Sequence, residues 1–334
     1  MAKERLTTVR LQNLSQAYLN SAVLWAAVEI GLFTQISNGV TDFADLAGAL
    51  GITETNAERM VTACLALDLL EKTDGTIRNG PDVERFLVEG KDGYAGPWIT
   101  FTKPEWNEWG RLSEHIRDTR PPNVLGMYAD ISYDAAKRYH QATYSIGLGA
   151  GRLFARKVDL SKRKRILDLG GGSGAYCIAA CQKHPQITAI VLDRPAVTEV
   201  AAEFIAEHGL TDRIRTLPGD MVADPLPDGV DVAIMASNLS LFSAEAVRDI
   251  AAKAFAALDP GGEMHLIGHM LNDDRTGPVV PAIWAVAQAI YNSAGGLHSI
   301  SDCVGYLTEA GFTDVAYDAH LPGMLDRVTG TKPA

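Results

Sequence analysis

Apolar residues recur at helical spacing in the first third of the chain. Leu14, Tyr18, Ala22, Trp25 and Val28 share one face of residues 11–33, which predicts one long helix with Gly31 near its end. The other faces of this helix are also largely apolar, which fits burial against a second subunit. A second helix is predicted from Thr41 to Leu50, stopped by Gly51, and a third over 54–70, capped by Thr53. Residues 71–78 surround Asp74-Gly75, a hairpin turn signal. Three helices followed by a small hairpin predict a winged-helix unit.

Residues 92–157 read as helical and rich in aromatic rings, with Pro121-Pro122 as a break. Most of these rings serve as packing at such positions. From residue 163 the period changes. Short apolar runs at 165–169, 188–193, 213–218, 230–236 and 263–269 alternate with helical runs at 176–184, 197–207 and 244–258. This alternation predicts a parallel, doubly wound sheet with helices on both faces. Helices at 281–291 and 300–310 follow, then two strands near 314–319 and 324–329. The expected division is 1–92, a helical and winged-helix domain; 93–157, a helical connector to the pocket; and 158–334, an α/β domain.

Charge narrows the function. The net charge of −11 supplies no basic field for nucleic acid or an anionic membrane. The third helix, where a winged helix would read DNA, carries Glu54, Glu58 and Asp68 against Arg59, which opposes phosphate. No apolar run is long enough to span a membrane, and Met1–Arg5 does not begin a signal segment. Cys64, Cys177, Cys181 and Cys303 show no metal-ligand spacing and read as reduced core thiols. The expectation is a cytoplasmic protein with no metal.

The candidate chemistry begins at Ile166-Leu167-Asp168-Leu169-Gly170-Gly171-Gly172-Ser173-Gly174. Strand, glycine loop and helix present amide groups to a nucleotide-like cofactor. Gly170-x-Gly172-x-x-Ala175 also satisfies a dinucleotide pattern. Three acids separate the readings. Asp168 ends the first strand, Asp193 ends the second where it can take ribose hydroxyls, and Asp220, after Gly219 and before Met221, ends the third. Three carboxylates suit a cationic ligand without pyrophosphate, namely S-adenosyl-L-methionine, with S-adenosyl-L-homocysteine as product.

Asp168 to Gly174, Asp193 and Gly219-Asp220 resemble the class I methyltransferase motifs, and with the N-terminal unit and Ala310-Gly311-Phe312 the whole chain resembles the small-molecule O-methyltransferases of the acetylserotonin and caffeate type. The resemblance implies a Rossmann-like catalytic domain, an N-terminal dimerisation domain and a homodimer. It also implies cofactor contacts at Asp168, Gly170, Gly172, Asp193, Arg194, Gly219, Asp220, Met221 and Ser237. Tyr139, His140, Thr143, Tyr144, Asn238, His269 and Trp284 are the candidate substrate contacts, and Lys103, Arg111 and Arg152 are candidate anchors for a substrate carboxylate.

One departure changes the expected chemistry. Where that family carries Leu-His-Asp-Trp-Ser, with His as general base, this chain has Leu239-Ser240-Leu241-Phe242-Ser243. A serine without a partner is no base near neutral pH. A thioether sulfur needs none, because it has no proton to lose. Tyr94-Ala95-Gly96-Pro97-Trp98, Glu108-Trp109-Gly110-Arg111-Leu112 and 139–145 resemble the bacterial methylthiohydroxybutyrate S-methyltransferases. That resemblance implies S-methylation of 4-methylthio-2-hydroxybutyrate in dimethylsulfoniopropionate synthesis. The alternative is an O- or C-methyltransferase of an aromatic natural product with a non-standard base, His140 or His269.

Overall fold

The computed structural model describes residues 6–123, 126–128 and 131–334. Met1–Arg5, on which the signal-segment expectation rests, lie outside the described residues. The chain divides into two units, Met1–Pro104 and Glu105–Ala334.

In the first unit, α1 (Val9–Glu29) and α2 (Leu32–Ser37) replace the single predicted helix. Gly31, at φ +74°, turns the chain between them and sits at the N-cap of α2. Asp42, rather than Thr41, caps α3 (Phe43–Leu50), accepting the Ala44 amide at 2.9 Å. Thr53 caps α4 (Glu54–Ala66) as expected, but α4 stops four residues early because Leu70 already pairs with Asn79. Strands β1 (Leu70–Thr73) and β2 (Thr76–Asn79) form the hairpin about Asp74-Gly75. Leu32, Phe33, Leu46, Val61 and Ile77 are the heart of this unit's core. Leu6, Val9, Leu11 and Leu14 stand exposed on this single chain. The unit continues through α5 (Pro81–Phe86) and α6 (Gly96–Ile99).

The second unit opens with α7 (Trp106–Gly110), α8 (Leu112–His115) and α9 (Tyr133–Lys157). A seven-stranded sheet follows. Its strands are β3 (Arg165–Leu169), β4 (Thr188–Asp193), β5 (Ile214–Pro218), β6 (Val230–Ala236), β7 (Leu258–Gly268), β8 (Thr313–Leu321) and β9 (Leu325–Thr331). Their order is β5-β4-β3-β6-β7-β9-β8. The first five are parallel; β9 and β8 are antiparallel, because only a tight turn joins them.

The crossover helices are α10 (Ala175–Lys183), α11 (Pro195–Glu207) and α12 (Ala244–Ala257), and α13 (Val279–Ile290) and α14 (Ile300–Glu309) follow β7. Strand residues alternate between two cores. Ile166, Val191 and Ile234 pack with α9, α10 and α11, while Leu167, Leu192 and Met235 pack with α12 and α14. Strand order reverses between β3 and β6, which opens a crevice at their carboxyl ends. Helix α9 approaches this crevice closely. A side chain on Gly151 would lie 2.9 Å from the Ala175 carbonyl, so glycine there lets α9 settle on α10.

Candidate active site

At the crevice β3 runs into the glycine loop. The Gly170 amide donates to the Leu192 carbonyl at 2.8 Å, and the Gly172 amide donates to Asp193 Oδ2 at 2.8 Å. Gly172 has φ +56°, and a Cβ there would lie 2.7 Å from the His140 ring. Glycine therefore both makes the turn and lets His140 of α9 close over the loop. From the end of β6, Asn238 donates to the Leu169 carbonyl at 2.8 Å and to the Gly170 carbonyl at 3.2 Å. Asn238 Oδ1 is buried and has no partner among the described residues.

The three acids stand at successive strand ends in different environments. Asp168 is 2% exposed, and the Cys177 thiol donates to it at 3.5 Å. Burial, eased by that thiol and reinforced by the nearby Asp193 charge, pushes its carboxyl up to about 7. Asp193 accepts the Gly172 amide on Oδ2 and the Arg194 amide at 2.7 Å on Oδ1. Burial still raises it to about 6 against those amides. Asp220 pairs with Arg194 Nη1 at 3.1 Å and accepts the Val222 amide at 2.8 Å, so both of its oxygens are already engaged.

Asp193 and Asp220 share one cavity, open to solvent, with an empty volume of about 630 Å³. Gly170, Gly172, Asp193, Arg194, Gly219, Asp220 and Met221 line it, together with His140 and Asn238. All nine are among the residues singled out from the sequence. Leu192, Tyr128, Leu241 and Phe242 complete the wall and were not. Tyr128 belongs to a 3₁₀ turn, Gly126–Tyr128, in the proline-broken segment, where the sequence offers only one aromatic residue among many. Leu241 and Phe242 sit at the family's base motif, where the sequence marks Leu241 only as the residue in place of an acid.

The remaining candidates lie elsewhere. Asp168 sits beneath the loop rather than on the cavity wall. Ser240 is in the 3₁₀ turn Leu239–Leu241, and its carbonyl packs against Gly295. Ser237 ends β6 with φ +60° and is exposed. Thr143 donates to the Tyr139 carbonyl of its own helix at 3.1 Å. Tyr144 stacks on Phe204 of α11 at 4.2 Å and pairs with His208, which holds it off the cavity. His269 and Trp284 stack on each other with ring centroids 6.3 Å apart, and neither lines the cavity. Tyr139 contacts Tyr128 and His140 edge-on at 5.8 and 5.1 Å, just behind the wall. Of the proposed carboxylate anchors, Lys103 pairs with Glu29, Arg111 pairs with Glu114, and Arg152 is exposed. The cation on the cavity wall is instead Arg194.

The donor set suits a cationic adenosine ligand. Asp168 and Asp193 are buried acids raised by desolvation, and a positive charge beside them would relieve that cost. The unpartnered Asn238 Oδ1 calls for a donor such as an ammonium. Met221 supplies an apolar face beside Gly219-Asp220. His140, packed over Gly172 of the loop, is 6% exposed, its Nε2 has no partner among the described residues, and burial pushes its imidazole down to about 4. It is therefore neutral near pH 7, with a lone pair available to accept a proton. Tyr128, Leu241 and Phe242 add aromatic and apolar surface to the wall.

Comparison with known proteins is consistent along the chain. Residues 109–313 match the O-methyltransferase domain and 12–87 match the O-methyltransferase dimerisation domain. A 3-hydroxy-5-methyl-1-naphthoate 3-O-methyltransferase of Streptomyces sahachiroi is 32% identical, covering 91% of this chain and 89% of its own. A tetracenomycin polyketide synthesis 8-O-methyl transferase of Streptomyces glaucescens is 30% identical over 96% and 95%. The crystal structure of human N-acetylserotonin methyltransferase in complex with S-adenosylmethionine superposes with a TM-score of 0.82 at 22% identity, covering all of both chains.

Proposed function

We propose, from the premise that this chain belongs to the O-methyltransferase family and uses S-adenosyl-L-methionine, that it methylates a hydroxyl group on an aromatic natural product. The observation that carries this reading is the cavity itself. Beside its acids and glycines it is lined by Tyr128, Leu241 and Phe242. Similarity over nine-tenths of the chain to enzymes named for naphthoate and tetracenomycin substrates supports the same class of acceptor.

In this reading Asp193 takes the ribose hydroxyls and Met221 packs on the adenine. Asp220 acts through Arg194 and its own turn, Asn238 Oδ1 meets the positively charged amino-acid end, and Asp168 adds its charge from beneath the loop. The bound cofactor supplies the methyl group and leaves as S-adenosyl-L-homocysteine. His140 accepts the acceptor's hydroxyl proton on its free nitrogen, in place of the imidazole missing at Ser240. Leu241 and Phe242 exclude water from the reacting end. Residues 1–92 serve as the dimerisation domain, 93–157 as the connector that brings His140 to the pocket, and 158–334 as the catalytic domain. The enzyme is a homodimer and acts on a small molecule. We place it in the cytoplasm, in keeping with four cysteines that are buried thiols.

Methylation of 4-methylthio-2-hydroxybutyrate rests on Ser240, because a thioether has no proton to lose, and on the resemblance of 94–98, 108–112 and 139–145. The phenol reading draws on the whole chain. It is tested by incubating the purified protein with methyl-labelled cofactor and a set of hydroxynaphthalenes and larger polycyclic phenols. Formation of aryl methyl ethers supports it, and labelled cofactor recovered intact from every phenol overturns it.

A further inference from the structure

A second polar feature stands behind the acceptor end of the cavity. The Tyr291 hydroxyl donates to Glu105 Oε1. The other carboxylate oxygen, Oε2, is buried and has no partner among the described residues. A buried carboxylate oxygen left without a donor is costly, and native sites with one usually receive the donor from a ligand or water.

This pair adjoins the cavity wall by two routes. The first runs through backbone. The Asn123 amide donates to the Asn292 carbonyl at 2.7 Å, and the Ala294 amide donates back to the Asn123 carbonyl at 3.0 Å. A side chain on Gly126 would meet Ser293 at about 3.1 Å, so Asn123 and Gly126 are both laced to the residues following Tyr291. The second runs through rings. Tyr128, on the wall, lies edge-on to Tyr139 and shares a hydrogen bond with it. Burial pushes the phenols of Tyr139 and Tyr291 up, and the nearby Glu105 carboxylate adds to both shifts. Four groups from separate parts of the chain therefore gather at Tyr128, which lines the cavity, with the other three and their carboxylate directly behind it. The only charge in that group is negative, and its free valence is an acceptor.

We propose that Glu105, held in place by Tyr291, recognises a second hydrogen-bond donor on the aromatic acceptor, an O–H or N–H group remote from the hydroxyl that is methylated. The inference rests on the phenol reading and adds the substrate feature that selects among phenols. Glu105 binds rather than abstracts. Its contribution appears in affinity and in the choice between acceptors, while His140 serves the reacting hydroxyl. Tyr291 is a positioning residue, since it acts through Glu105.

The probes are 2,7-dihydroxynaphthalene and 2-naphthol, which differ by one donor. Each is assayed for methyl transfer, and separately for binding by calorimetry with S-adenosyl-L-homocysteine present. The wild-type chain is expected to prefer the diol by about tenfold to a hundredfold in kcat/KM, the range for a hydrogen bond to a charged partner. Most of that preference should lie in KM and in the measured affinity. Glu105→Met should bring the ratio close to one, Glu105→Gln should leave an intermediate ratio, and Tyr291→Phe should lower it about threefold. Unchanged affinity for S-adenosyl-L-homocysteine reports that each variant is folded. Equal use of both phenols by the wild type, or a ratio that survives Glu105→Met, overturns the inference and leaves phenol methylation standing. Failure of the wild type to bind or methylate either phenol overturns both.

Discussion

Asn238 donates its side-chain amide to the Leu169 carbonyl at 2.8 Å, tying the end of β6 to the first step of the glycine loop. The same side chain leaves Oδ1 buried and free, so one residue both shapes the loop and offers an acceptor to what lies on it. Asn238→Ala removes both. Affinity for the cofactor is expected to fall about tenfold or more, from the loss of a hydrogen bond to a charged group, with a stability cost of about 1–3 kcal/mol from the stranded loop carbonyls. Calorimetric titration and thermal melting check the two effects separately.

The buried acids make cofactor binding depend on pH. Asp168 titrates at about 7 in the free protein, and a cationic ligand favours its ionised form. Binding therefore releases a proton wherever Asp168 starts protonated. Affinity is expected to be flat above about pH 8 and to fall as pH drops through 7, approaching tenfold per unit below it. Asp193, at about 6, steepens the decline at lower pH. A dissociation constant unchanged between pH 8 and 5.5 would contradict this.

The same shift has the opposite sign for the stability of the free protein. A carboxyl raised from 3.8 to about 7 binds more protons folded than unfolded. Its contribution is fully present below about pH 4 and is lost as pH rises through 7. Asp168→Asn is therefore expected to melt higher than wild type at pH 8 and to lose most of that advantage by pH 5, while binding the cofactor poorly at both. Thermal scans at the two pH values decide it.

The missing base is tested at two positions. His140→Gln is expected to lower kcat about a hundredfold or more toward a phenol of ordinary acidity, the usual range for general base catalysis. Ser240→Ala should change kcat by less than about twofold, because the Ser240 hydroxyl is not on the cavity wall. A burial-lowered imidazole stays neutral above pH 5, so kcat at saturating cofactor should show no histidine limb between pH 6 and 9. Equal losses at both positions would move the base away from His140.

Helix α1 presents Leu11 and Leu14 to solvent on the single chain, at 55% and 68% exposure. A homodimer covers such a surface. Replacing both with Glu is expected to shift the protein from dimer to monomer in sedimentation and to lower its melting temperature. An unchanged dimer would place the interface elsewhere.

The cofactor end was legible in the sequence because its parts are local. Asp168, Gly170 and Gly172 lie within five residues, and Asp193, Asp220 and Asn238 each follow or close a strand whose apolar run marks its own end. The alternation that predicts the parallel sheet also predicts where those ends gather. Element boundaries moved where a single residue competes with the pattern, as Gly31 does when it divides the first helix. The acceptor end was not legible. Tyr291 and Glu105 meet across 186 residues, and no periodicity marks either one. Tyr144 and Trp284 have the right residue type at the right helix, but packing against Phe204 and His269 turns them aside. Which face of a ring a neighbour covers is decided by tertiary contacts that spacing does not carry.

The most direct measurement is a competition in one vessel. Purified protein is given methyl-labelled S-adenosyl-L-methionine with equal concentrations of 2,7-dihydroxynaphthalene and 4-methylthio-2-hydroxybutyrate, and the labelled products are identified by carbon NMR. Methylation of an aromatic hydroxyl predicts label in an aryl methyl ether and none on sulfur. Label in a dimethylsulfonium product, with the phenol recovered unchanged, would contradict it.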